Sequence, residues 1–127
     1  MTIDARHPLP GTRPTATAGL RHVALFVDNF EATVAFYTDL LGMQVEWHPD
    51  PDNIYLTSGN DNLAVHRFQG QARDPAQQRL DHIGFILRTP DDVDAWHTFL
   101  AANAVRIQAP PRTHRDGARS FYCLDPD

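Results

Sequence analysis

The sequence predicts an α+β fold of two repeated βαβββ modules, the second short of its last strand, with curved mixed sheets around a central site. Three observations predict it. LRHVALFV at residues 20–27 recurs as LDHIGFIL at residues 80–87, both reading Leu-x-His, aliphatic, small, then three apolar residues. Each copy is followed by apolar residues at helical spacing. Each helix is in turn followed by short alternating runs bounded by Gly, Pro, Asn and Asp, as strands and turns are.

Residues 1–19 carry prolines and threonines without an apolar core of the kind a signal peptide needs, so they are expected to form a flexible arm. Module 1 spans residues 20–68. After its first strand, Asp28 and Glu31 have the spacing of a capping box, and Phe30, Val34, Tyr37 and Leu41 form a stripe that ends at Gly42. MQVEW, NIYLTSG and DNLAVHRF are the next three strands, separated by turns at residues 49–52 and 59–62.

Module 2 spans residues 80–127. Thr89, Pro90, Asp91 and Asp92 read as a cap, a first-turn proline and first-turn acids, and Val93, Trp96 and Leu100 as the buried stripe. AVRIQA and ARSFYCL follow as strands around a loop at residues 110–117, and the closing Asp-Pro-Asp reads as the first half of a turn.

At 127 residues, 42% apolar and 21% charged, the two modules make one domain with a core of its own. The formal net charge of -5 argues against nucleic acid or an anionic membrane as partner. No apolar run is long enough to span a membrane. The single cysteine, Cys123, excludes an intramolecular disulfide and fits a reducing cytoplasm. Sheet edges left by paired modules favour a homodimer.

Seven histidines are many for this length, and strand alternation says where three of them point. Val23, Leu25 and Val27, like Ile83, Phe85 and Leu87, form the faces that cover the helices. His22 and His82 lie on the opposite faces, each followed there by a very small residue, Ala24 or Gly84. The same rule puts Leu63 and Val65 on the helix side, and Ala64, His66 and Phe68 on the other. His22, His66 and His82 therefore project from a concave surface, and convergent imidazoles are common ligands of a divalent transition metal. His48 and His97 read as solvated, Cys123 as an inert thiol, and Trp47 and Trp96 as core. In the loop entering the last strand, Arg119 and His114 are candidates for substrate binding, since arginine forks match carboxylates. No catalytic base is singled out, and there is no phosphate loop or nucleophile elbow.

LRHVALFVDNFEATVAFYTDLLGM, LDHIGFIL and RDGARSFYCLDPD together resemble the vicinal oxygen chelate superfamily of glyoxalases, extradiol dioxygenases, and fosfomycin- and bleomycin-resistance proteins. The resemblance runs from residue 20 to residue 127 and includes Phe36, Tyr37, Leu41 and Gly42 at the helix end. It implies a divalent metal (zinc, nickel, iron or manganese) held by His22 from the first module and His82 from the second. His66 lies on the strand that in the family often brings a glutamate or glutamine. The last family ligand, a glutamate shortly after the Asp-Pro-Asp, falls beyond Asp127. Three activities stay open: a metal-dependent glyoxalase-type enzyme on a small vicinal-oxygen substrate, an iron-dependent ring-cleaving dioxygenase, and a metal-free antibiotic-binding protein.

Overall fold

The computed structural model describes residues 13, 14, 16–71, 74–77 and 80–127; most of the expected arm over residues 1–19 lies outside them. The element order is β1 (His22–Val27), α1 (Phe30–Ala35), a π-helical turn (Phe36–Leu40), β2 (Gln44–Asp50), β3 (Asn53–Thr57), β4 (Asn62–Arg67), a short 3-10 turn (Pro75–Gln77), α2 (Pro90–Ala102), β5 (Ile107–Thr113) and β6 (Arg119–Cys123). Module 1 is a four-stranded sheet in the order β1-β4-β3-β2, with β1 parallel to β4 and the other pairs antiparallel. Module 2 contributes a two-stranded antiparallel sheet, β5-β6.

The alternation read from the sequence shapes the core. Val27, Ile54, Leu56, Leu63 and Val65 are buried on the helix side of the first sheet, against Phe30, Phe36 and Tyr37. Val105 and Cys123 from module 2 pack on the same cluster. At the rim of that same helix side Arg67 joins three elements: its guanidinium binds Glu31 of α1 at 2.6 Å and Asp52 of the β2-β3 turn at 2.8 Å. It also lies 4.5 Å from the centroid of the Phe30 ring.

Four expectations change. Residues 80–87 repeat the β1 pattern but form no strand: β1 exists as a strand through its parallel ladder with β4, and no such partner lies beside residues 80–87 among the described residues. Ile86 is 98% exposed as a result. The expected loop at residues 110–117 is partly strand, because β5 continues through Pro110 and Pro111 to Thr113. Its irregular register with β6 accommodates prolines, which cannot donate to a ladder. Asp28 and Glu31 make no capping box: α1 starts after Asn29 with no cap from its own side chains, and Glu31 turns to Arg67.

The cap of α1 comes instead from the chain's last residues. Asp127 Oδ1 accepts from the backbone N–H of Asp28 at 2.8 Å and of Asn29 at 3.0 Å. Asn29 Nδ2 donates to the Pro126 carbonyl, and the buried Tyr37 hydroxyl donates to Asp125 Oδ2 at 2.8 Å. Asp-Pro-Asp is thus a clamp, not a half-turn. Burial and the Asp125 carboxylate push the Tyr37 phenol far above the ordinary tyrosine range. In module 2 the cap of α2 is as expected: Thr89 and Asp92 form a reciprocal capping box, with Pro90 in the first turn.

Tyr37→Phe keeps the buried ring and removes one hydrogen bond, leaving Asp125 Oδ2 without its donor while Oδ1 still accepts from the Asp127 N–H. Thermal unfolding should show a loss of about 1 kcal/mol, against about 3–5 kcal/mol for Tyr37→Ala. The Arg67 and Arg119 guanidiniums hold the Glu31 and Asp94 carboxyls below their usual range. Such groups stabilise the fold above the unfolded values of about 4 and lose that contribution as the pH falls through the lowered folded values. Urea midpoints should therefore fall below about pH 4, and the fall should be shallower in the Glu31→Gln/Asp94→Asn double variant.

Candidate functional site

The face of the four-stranded sheet away from α1 carries His22, Ala24 and Phe26 of β1, Asn62, Ala64 and His66 of β4, and Asn53 and Tyr55 of β3; of these Ala64 is fully buried beneath its neighbours. In register, His22 sits opposite Asn62, Ala24 opposite Ala64, and Phe26 opposite His66. Across the next ladder Asn53 faces His66 and Tyr55 faces Ala64.

His22 Nδ1 lies 2.7 Å from Asn62 Oδ1, and Asn62 Nδ2 donates to Glu46 Oε1 at 3.1 Å. An ionised carboxylate only accepts, so it fixes the amide with its NH2 toward Glu46 and its oxygen toward His22. His22 Nδ1 then carries the proton, and Nε2 keeps its lone pair. Glu46 reaches this side by strand alternation, and an irregularity in β2 brings Trp47 beside it: Val45 pairs with Leu56 and Trp47 with Tyr55, so Glu46 and Trp47 together oppose one residue of β3. The irregularity also corrects the reading of Trp47. It is not core but 59% exposed, stacked on Tyr55 with ring centroids 5.2 Å apart.

A second relay of the same kind stands at the other end of the face. His66 Nδ1 lies 2.6 Å from Asn53 Oδ1, while Asn53 Nδ2 donates to both Asp50 oxygens at 2.9 and 3.0 Å. The same argument puts the His66 proton on Nδ1. These hydrogen bonds, with one from the Asp52 backbone, hold the Asp50 carboxyl below its usual range. Phe26 and Tyr55 flank the His66 ring at 5.6 and 5.9 Å.

The three histidines named from sequence are not brought together. His22 and His66 are four residues apart along the β1-β4 ladder, about 13 Å at strand rise. Strand side chains stand across the sheet and not along it, so the two imidazoles are not placed to share one ion. His82 lies on the unladdered residues 80–87, with Nδ1 2.6 Å from its neighbour Asp81 and its ring edge-on to Tyr122 at 5.5 Å. Among the described residues no three His, Cys, Asp or Glu side chains converge as a metal would require.

Arg119 grips Asp94 of α2 at 2.7 and 3.0 Å and also donates to Thr113, so its fork braces α2 against β6. His114 Nε2 lies 2.7 Å from Ser120 Oγ. Arg119 and Ser120 line a cleft of about 350 Å³ shared with Phe85, Ile86 and Leu87. His97 packs edge-on against Phe121, so it is not simply solvated. Burial and Asp125 push the Cys123 thiol up, which suits an inert role.

Sequence reasoning missed Asn62, Asn53, Glu46 and Asp50. Each asparagine is the cross-strand neighbour of its histidine, so the signal was the pairing register, which a single strand does not contain.

The chain matches the Glyoxalase/Bleomycin resistance protein/Dioxygenase superfamily over residues 19–127. It is 27% identical over 110 residues to metallothiol transferase FosB of Staphylococcus haemolyticus, covering 86% of this chain and 77% of that protein. The fold matches lactoylglutathione lyase from Agrobacterium tumefaciens with a TM-score of 0.67 at 23% identity, over 87% of both chains. It matches a glyoxalase/bleomycin resistance protein/dioxygenase from Nocardioides with a TM-score of 0.69 at 23% identity, over 92% of this chain and 80% of that one.

The relays make a spectroscopic prediction. At a pH where both rings are neutral, long-range nitrogen–proton NMR correlations should show His22 and His66 as Nδ1–H tautomers. Asn62→Leu should release His22 alone and Asn53→Leu His66 alone; a mixed tautomer at either histidine in the unmodified protein would contradict the relay.

Proposed function

The chain belongs to the Glyoxalase/Bleomycin resistance protein/Dioxygenase superfamily, and from that premise we propose that it is a metal-dependent enzyme of the glyoxalase type. Its substrate would be a small molecule with adjacent oxygens, bound against the concave face of the four-stranded sheet. One observation carries this reading: the Glu46-Asn62-His22 relay fixes the ring tautomer and leaves Nε2 as a donor. Oriented second partners of this kind accompany metal-ligating histidines. His82, held through Nδ1 by Asp81, is the second imidazole of the reading.

The residues fit a divalent ion in donor type but supply only part of a coordination set. Two imidazoles suit zinc, nickel or iron, whereas three convergent His, Cys, Asp or Glu donors are lacking among the described residues. When bound, the ion would polarise adjacent substrate oxygens and stabilise negative charge on them. The chain's own part is to aim His22, to keep room beside it over the small Ala24, and to wall the face with Tyr55 and Trp47. The name of the staphylococcal relatives, metallothiol transferase, agrees with metal use. The edge strands β1 and β2 of the four-stranded sheet support a homodimer. The low cysteine usage supports a reducing, cytoplasmic setting.

Metal analysis and zinc titration of the purified protein test the proposal. His22→Ala and His82→Ala should each abolish stoichiometric binding, and Asn62→Leu should weaken it by about 10- to 100-fold. Binding unchanged in both alanine variants would show that the site is elsewhere. Iron with oxygen consumption would favour the dioxygenase reading, and no metal at all the metal-free binding protein.

A further inference from the structure

The second relay is unused by the reading above, and its surroundings differ from those of the first. His66 is half-buried, with Phe26 on one side and the edge of Tyr55 on another. Trp47 extends this wall by stacking on Tyr55 at an interplanar angle of 26°. Phe26 and Trp47 are 61% and 59% exposed, so two large rings are held in order against water. Between this end and His22, β1 contributes only Ala24 to the face. The result is a small-residue floor with aromatic walls and one fixed hydrogen-bond acceptor, His66 Nε2.

That combination is selective. Aromatic walls favour a planar ring through stacked or edge-on contact. An acceptor whose tautomer is locked by an asparagine and a carboxylate favours a donor, such as a phenolic hydroxyl or a heterocyclic N–H, over a carboxylate or an ether. A ring seated here lies within about 13 Å of His22, measured along the strand. One ligand of modest length can therefore span both relays.

We propose that the His66 end of the concave face is a subsite for a planar ring bearing a hydrogen-bond donor, with His66 accepting and Phe26, Tyr55 and Trp47 as walls. The subsite assigns a substrate class to the face named above: molecules with an oxygen-bearing head near His22 and a donor-bearing ring near His66. It rests on that face being the binding site, but not on the metal.

Metal-free protein is titrated with p-cresol, 4-methylanisole and toluene, followed by two-dimensional NMR. The expected result is saturable shifts at Ala24, Phe26, Tyr55 and His66, with p-cresol preferred over 4-methylanisole by about five- to tenfold, the worth of one neutral hydrogen bond. His66→Leu should abolish that preference while toluene binding stays. Trp47→Ala should weaken all three probes alike. Asn53→Leu, which leaves the imidazole in place but frees its tautomer, should reduce the preference severalfold. The proposal is overturned if p-cresol and 4-methylanisole bind equally, if the preference survives His66→Leu, or if the shifts map to residues 80–87. It is also overturned if the Phe26 and Trp47 resonances move with protein concentration alone, since a second copy would then cover the face. Because the zinc titration reads His22 and His82, loss of the metal reading and loss of this subsite are separate outcomes.

Discussion

The arrangement of the molecule depends on the clamp made by Asp125, Pro126 and Asp127. The six-residue helix α1 has orphan N–H groups at its start and no cap among its own side chains. Asp127 supplies the acceptor, and its negative charge sits favourably at a helix N-terminus. Asp125 meanwhile gives the buried Tyr37 hydroxyl the partner that such a group requires. These bonds join sequence positions nearly a hundred residues apart, so module 2 is tied to module 1 by polar contacts placed beside the shared core. Cys123 and Val105 then pack on that core, and Phe85 meets Tyr37 with ring centroids 6.1 Å apart. The other side of the four-stranded sheet keeps His22, Ala24 and Phe26 exposed.

What could be read from sequence was whatever depends on a single segment. Alternation placed Leu63 and Val65 inside and His22 and His66 outside, because a strand's two faces follow from its own residues. The Thr89 cap was legible for the same reason. What could not be read depends on a second segment. Residues 80–87 match β1 in pattern, yet strand formation is a property of the pair, and only β1 has its ladder. Asp28 and Glu31 had capping spacing, but Asp127 and Arg67 compete for the same groups from far along the chain. Trp47 reads as core along its own segment, and the irregularity that turns it outward arises only between β2 and β3. At the site, the histidines were visible and their asparagine partners were not, since the cross-strand register depends on two turns.

The two relays also define what the concave face offers. Glu46 and Asp50 lie on the same edge strand, each holding an asparagine that in turn holds a histidine. Both chains run in one direction, from carboxylate through amide to imidazole, and both leave a nitrogen lone pair at the end. A face built this way presents acceptors, so it suits cations and hydrogen-bond donors. Two arginines are committed elsewhere: Arg67 to Glu31 and Asp52 on the helix side, and Arg119 to Asp94 of α2. A carboxylate-rich or phosphorylated ligand would meet lone pairs and, behind them, the negative charge of Glu46 and Asp50. The same two carboxylates would stabilise a positive ion or an acidic proton brought to either histidine. What this face presents therefore follows from the direction of its hydrogen bonds, and the alternation of apolar and polar residues along any one strand does not reveal it.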